Sequence, residues 1–167
     1  MVTIFFSRLK SNAIIPSKRA EDAGYDIYPC FEEEYICVSP HTTTSIPTGI
    51  ASCFSSDFYI QLFERGSTGI RGIAQRCGVI DSGYRGEWFV SITNTNDLPL
   101  YIMKSNSNSI ASLKENVEKY IVYPAEKAIC QAIVLPVPST QIIEIPYKEL
   151  LSHKSSRALG KLGSSLK

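Results

Sequence analysis

The chain has 167 residues, 44% of them hydrophobic and 20% charged, which fits a single globular domain of average composition. A formal net charge of +1 argues against a nucleic-acid binder that relies on bulk electrostatic attraction, but leaves room for a local basic pocket that takes one small polyanion. The apolar runs are too short for a membrane span or a signal peptide, so the reading is a cytoplasmic protein with no membrane and no nucleic-acid partner. Five cysteines (Cys30, Cys37, Cys53, Cys77, Cys130) lack a paired C-x-x-C spacing and read as free thiols in a reducing compartment. His41 and His153 stand alone, too sparse for a zinc site.

Short apolar or alternating runs recur along the chain: "VTIFFSRL", "YDIYPCF", "EYICVSP", "TTTSIPTGIASCF", "FYIQLFER", "EWFVSITN", "LYIMK", "IVYP", "AICQAIVLP" and "QIIEIPY". They are rich in β-branched and aromatic residues, have strand length, and are separated by Pro, Gly, Asn and Ser. The pattern predicts an all-β domain, a sandwich or barrel with jelly-roll topology included. Two short helices are expected. "SLKENVEKY" starts at Ser112 with Glu115 completing a capping box, and "PYKELLSHK" makes two turns after Pro146. The polar "KSNSNS" from Lys104 reads as an exposed loop or insertion over about 104–120, and the basic, glycine-bearing tail reads as a flexible terminus.

Four stretches ask for more than strand geometry. "EDAGYDIYP" sets Asp26 beside a strand, behind a glycine. "ERGSTGIRG" crowds three glycines, two hydroxyls and two arginines into a segment able to bend sharply and offer N–H groups and a guanidinium to phosphate oxygens. It is not a phosphate loop ending in Gly-Lys-Ser/Thr, and no βαβ context surrounds it. "GVIDSGYRGEW" reads as a hairpin or strand pair turning near Ser82-Gly83, where Asp81 by itself is equally a turn former. The tail offers Arg157, Gly163, Ser164 and Ser165 to a phosphate.

Each stretch alone is ordinary; their order along one chain is not. "AGYDIY", "ERGSTGIRG", "GVIDSGYRGEW", "KAICQAIV" and "RALGKLGSS" resemble, in sequence order, the five motifs of the trimeric deoxyuridine triphosphatase (dUTPase) family, in the form found in Gram-positive bacteria and their phages. The third match is the most specific. The resemblance implies a jelly-roll-like β-barrel over 1–152 and a C-terminal arm over 153–167 that closes on a neighbouring subunit's site. It also implies a homotrimer with sites at its interfaces, and Mg²⁺-assisted hydrolysis of dUTP to dUMP and pyrophosphate, which keeps uracil out of DNA and supplies dUMP. By the same analogy Asp81 activates the attacking water and Tyr84 excludes a 2′-hydroxyl. Backbone groups of Gly78, Val79 and Ile80 read uracil, helped by Gln75. Arg65, Gly66 and Ser67 or Thr68 hold phosphates, and Gln131 contacts the α-phosphate or the metal's waters. Arg157, Gly163, Ser164 and Ser165 bind the terminal phosphate, and Leu162 covers the base. Asp26 reaches the metal through water at most, Mg²⁺ being held mainly by the substrate.

The fifth motif departs from the family pattern at Ala158, Leu162 and Leu166. Leu162 lacks the aromatic stacking worth about 0.5–1.5 kcal/mol, so closure is expected to be weaker. Deoxycytidine triphosphate deaminase shares the fold but is expected to carry a glutamate where Asp81 stands. A regulatory dUTPase-like protein that binds a repressor or other partner is the alternative from another functional class.

Overall fold

The computed structural model describes residues 2–105, 119–156 and 159. By contacts the chain forms two compact units, Met1–Val137 and Pro138–Lys167, a division earlier in the chain than the expected arm boundary. In chain order the first unit contains β1 (Phe5–Arg8), β2 (Tyr25–Ile27), β3 (Tyr35–Val38), β4 (Thr43–Pro47), β5 (Ile50–Cys53) and β6 (Phe58–Phe63). A helical turn, α1 (Gly66–Gly69), comes next. It is followed by β7 (Ile73–Arg76), β8 (Val79–Ile80), β9 (Phe89–Asn94), β10 (Leu100–Met103), β11 (Ile121–Pro124) and β12 (Cys130–Pro136).

The strands form four small sheets: β1-β5, β11-β10-β3, β2-β12-β6-β8 and β4-β9-β7. All pairings are antiparallel except β10 with β11. This is the expected all-β, jelly-roll-like architecture. Strand alternation decides the faces: Val90, Ile92 and Asn94 of β9 are buried while Phe89 is exposed. Buried Asn94 is satisfied, donating to the carbonyls of Val38 (3.0 Å) and Leu98 (2.8 Å). Strand β10 is buried on both faces. Leu100 and Ile102 join the main core, whereas Tyr101 and Met103 form a satellite cluster with Tyr35 and Tyr120.

Three sequence expectations change. "QIIEIPY" is not a strand: residues 141–146 carry none, Ile142 is 96% exposed, and the flanking prolines remove ladder donors. Strands β8 and β9 do not form a hairpin, because β8 pairs with β6 and β9 with β4 and β7. Strand β7 went unread because it is only four residues long and directly follows a glycine-rich turn. The helix expected after Pro146 is present as α2 (Tyr147–Ser152). The helix expected at "SLKENVEKY" lies almost wholly outside the described residues.

Trp88 anchors the point where the third motif returns to the core. It is fully buried, meets Phe6 edge-to-face at 5.4 Å, and donates its backbone N–H to Ile50 at 2.9 Å. The Thr48 hydroxyl donates to the Trp88 carbonyl at 2.7 Å. Next to it, Gly49 at φ +67 takes a conformation costly for other residues, and a Cβ there would strike Ala13 and Cys30. All five cysteines are free, and burial pushes the Cys130 thiol up to about 12. Trp88→Ala is expected to remove about 3–5 kcal/mol of unfolding free energy, measured by urea denaturation. A loss below about 1 kcal/mol would show that the core is not built on it.

Candidate functional site

Strand β6 ends by delivering Glu64 and Arg65 into the α1 turn. The Thr68 hydroxyl accepts from the Arg65 N–H (3.1 Å) and donates to the Arg65 carbonyl (2.9 Å), closing the turn. Thr68 is fully buried. This corrects its candidacy for phosphate binding, since its hydroxyl is consumed by backbone. Ser67 is exposed, and nothing in the chain lies within 4 Å of a Cβ built on Gly66. Ser67 therefore presents the more accessible hydroxyl, near Tyr123 and beside a backbone that an outside group can approach closely.

The Arg65 side chain, 30% exposed, is held from two sides. Its Nε meets Asp26 Oδ1 at 3.1 Å, and Nη1 donates to the Ala128 carbonyl at 3.1 Å. The same carbonyl accepts from the buried Tyr123 hydroxyl at 2.6 Å. Burial raises the Tyr123 phenol above its ordinary range, with Arg65 opposing the shift. It is thus a neutral donor at neutral pH. The guanidinium lines the open cleft, where its planar fork suits an anion.

Register completes the arrangement. Gln131 of β12 lies opposite Asp26 of β2 on one side and Phe63 of β6 on the other. Its amide Nε2 donates to the Glu64 carbonyl at 2.8 Å. A Cβ on Gly24 would come within 2.6 Å of the Gln131 Oε1, so the glycine of "AGYD" is what seats this amide. Asp26, Arg65, Gly66, Ser67 and Gln131 line one open cleft of about 910 Å³, together with Lys18 and Arg19 of the preceding loop. Sequence reading singled out neither Gly24 nor Lys18. A glycine beside a motif aspartate was the available signal for the first, and the second lies in a loop with no pattern of its own.

The third motif is built differently. Cys77 (φ 55) and Gly78 (φ 146) kink the chain into β8, and the Gly78 carbonyl accepts from Leu62 N–H at 2.8 Å. Gln75 spans the kink, its Nε2 donating to the carbonyls of Arg76 (2.8 Å) and Cys77, and its own N–H meets Glu64 Oε1 at 3.1 Å. Strand β8 is the edge of its sheet, so among the described residues the outer backbone edge of Val79 and Ile80 faces no strand. A turn follows, with Tyr84 N–H donating to the Asp81 carbonyl at 3.1 Å. Arg85 pins it by donating to Ser82 O at 2.6 Å. Tyr84 is 44% exposed, its hydroxyl donates to Glu87 O (2.9 Å), and its ring rests where a side chain on Gly86 would collide. Asp81 is exposed.

The two halves are far apart within one chain. Ile60 pairs with Ile80 while Phe63 aligns with Gln131 and Asp26. Asp81 therefore lies three strand spacings across and four residues along from Asp26, on the order of 20 Å at standard sheet dimensions. Arg157, Leu162, Gly163, Ser164 and Ser165 lie outside the described residues. Among the described residues no group of three or more His, Cys, Asp or Glu side chains is placed to hold a metal, and no helix is long and apolar enough to cross a membrane.

A family model described as dUTPase matches residues 10–113. A deoxyuridine 5'-triphosphate nucleotidohydrolase of Leptospira interrogans is 30% identical over 98 residues, which are 56% of this chain and 67% of the relative. Among solved structures, a Staphylococcus bacteriophage 80alpha dUTPase mutant with dUpNHpp is similar at TM-score 0.74 and 20% identity, covering 98% of each chain. It is described there among phage dUTPases that control transfer of virulence genes. A dUTPase mutant from the S. aureus phage phi11, in which a structural Mg(II) ion is coordinated, is similar at TM-score 0.66 and 19% identity, covering 86% of this chain and 96% of that one.

The roles of the two hydroxyls can be separated. Thr68→Val is expected to cost about 1–3 kcal/mol in stability, because it leaves the Arg65 N–H without its partner, whereas Ser67→Ala stays within about 0.5 kcal/mol. Urea melts of both variants check this. Equal losses would contradict the assignment.

Proposed function

The chain belongs to the dUTPase family, and from that premise we propose that it hydrolyses dUTP to dUMP and pyrophosphate at a site shared between copies of the chain. The observation that carries the reading is the separation of the halves. An attacking water must sit about 3–3.5 Å from the phosphorus it attacks. One phosphate cannot touch Arg65 and Gln131 while its water touches an Asp81 on the order of 20 Å away. A second copy that brings its own third motif to the Asp26–Arg65–Gln131 cleft removes the conflict, in line with the homotrimer expected for the family.

In this reading Arg65 and Ser67 grip the phosphate chain, Gly66 lets it approach the backbone, and Gln131 donates to the α-phosphate. Backbone groups of Gly78 to Ile80 not spent on β6 read the uracil edge, and the narrow pocket there rejects a 5-methyl group. The amide of Gln75 holds the kink that aims these groups. Tyr84, fixed by Glu87 and Gly86, lies against the deoxyribose and leaves no room for a 2′-hydroxyl. Asp81 orients the water and accepts its proton. The new O–P bond forms as the α–β bridging P–O bond breaks, and pyrophosphate leaves.

The donor set suits Mg²⁺ carried on the phosphates. Asp26 is the single motif carboxylate at the cleft, already paired with Arg65, and it would reach the ion through water at most. When bound, the metal offsets the negative charge that gathers on the phosphate oxygens. The arm over 153–167 then brings Arg157 to the γ-phosphate, with Gly163, Ser164 and Ser165 beside it and Leu162 over the base, excluding bulk water. A second role, contact with a repressor-type protein, is favoured by the likeness to phage dUTPases described as controlling gene transfer. The 104–120 insertion would be its surface.

With Mg²⁺, pyrophosphate release from dUTP is expected to exceed that from UTP, dCTP and dTTP by at least about 100-fold, and Asp81→Ala to lower kcat by about 10²–10⁴-fold. Equal turnover of UTP, or an unimpaired variant, would overturn the reading.

A further inference from the structure

The loop before β2 contributes a cation that none of the motifs contains. Backbone pairing fixes its base: Asp26 N–H donates to Ser17 O at 2.9 Å, so the Ser17 segment lies one step outward from Asp26 in the row that begins at Gln131. The Asp22 carboxylate is spent within the loop. It takes Arg19 Nε at 3.0 Å and Arg19 N–H at 3.3 Å, and Arg19 holds it below the usual carboxylate range.

Lys18 makes its hydrogen bonds to carbonyls. Its Nζ donates to Asp22 O at 2.6 Å and to Arg19 O at 3.5 Å, and stands 5.4 Å from the centre of the Tyr25 ring. On this cleft Arg19 is matched by Asp22, and Arg65 by Asp26. Lys18 is held in place by two carbonyls and a ring, and the one carboxylate that feels its charge, Asp22, is already hydrogen-bonded by Arg19. Glu21 is an opposing charge on the same wall.

We propose that Lys18 is a substrate-binding residue for the pyrophosphate portion of the nucleotide, gripping it from the wall opposite Arg65 and Ser67. The inference rests on the dUTP reading above and deepens it. With the α-phosphate at Gln131, the row Gln131, Asp26, Ser17 runs outward along the cleft, and the β- and γ-phosphates extending that way meet Lys18. A phosphate oxygen replaces the weak 3.5 Å contact to Arg19 O as acceptor of one ammonium proton, while the Asp22 carbonyl keeps the side chain aimed.

Titration calorimetry with Mg-pyrophosphate and with dUMP, on wild type, Lys18→Met and Lys18→Arg, tests this without requiring turnover. Loss of a charge-assisted hydrogen bond is expected to weaken pyrophosphate binding about tenfold in Lys18→Met. dUMP affinity should stay unchanged, and Lys18→Arg should recover most of the loss. In the dUTPase assay the same methionine variant is expected to raise KM with little change in kcat. Unchanged pyrophosphate affinity would overturn the proposal, and so would equal weakening of pyrophosphate and dUMP, which would mark Lys18 as structural. If pyrophosphate binds as described but dUTP is not hydrolysed, the functional reading fails while Lys18 stands as an anion ligand.

Discussion

The clamp on Arg65 is the interaction on which the cleft depends. A part-exposed ion pair such as Arg65–Asp26 contributes only about 0–1 kcal/mol to folding, so stability does not explain it. Orientation does. The pair with Asp26 fixes one side of the guanidinium and the Ala128 carbonyl fixes another. Tyr123, a buried neutral donor, holds that carbonyl in place. The Arg65 backbone begins the α1 turn that Thr68 closes. A planar fork whose rotamer is already fixed loses little entropy when it meets a phosphate. The neighbouring Gly66 and Ser67 come with it as one rigid unit.

Around this clamp the sheet separates residues that the proposed reaction would unite. Strand order puts two strands, β12 and β6, between Asp26 and the third motif. It also leaves β8 on the edge, its outer hydrogen-bonding groups unspent. An unspent edge is a liability in an isolated chain and a recognition surface in an assembly. The exposed Asp81 and half-exposed Tyr84 follow the same logic, since both are held by turn geometry and neither is packed against the cleft of its own chain.

Strand content was legible because burial in this chain follows a period of two, as Val90, Ile92 and Asn94 show. The candidate site residues were read from motifs whose order along the chain resembles a family's. What stayed hidden is what depends on partners distant in sequence. Thr68 and Ser67 are equivalent in a string, and only the backbone groups around Thr68 assign it to the turn. The glycine at 24 reads as a loop residue until Gln131 is seen lying on it. "GVIDSGYRGEW" has the residues of a hairpin, but Ile80 and Phe89 take partners in different sheets. "QIIEIPY" alternates like a strand and has none of its pairing.

The central claim is that the functional site needs two copies of the chain, and subunit mixing tests it most directly. Asp81→Ala and Arg65→Ala chains, each inactive alone, are unfolded together, refolded as mixed oligomers and assayed for dUTP hydrolysis. If Arg65 and Asp81 of one site come from different subunits, random mixing in equal amounts restores about a quarter of wild-type activity. Activity no greater than the sum of the two separate variants would contradict the account.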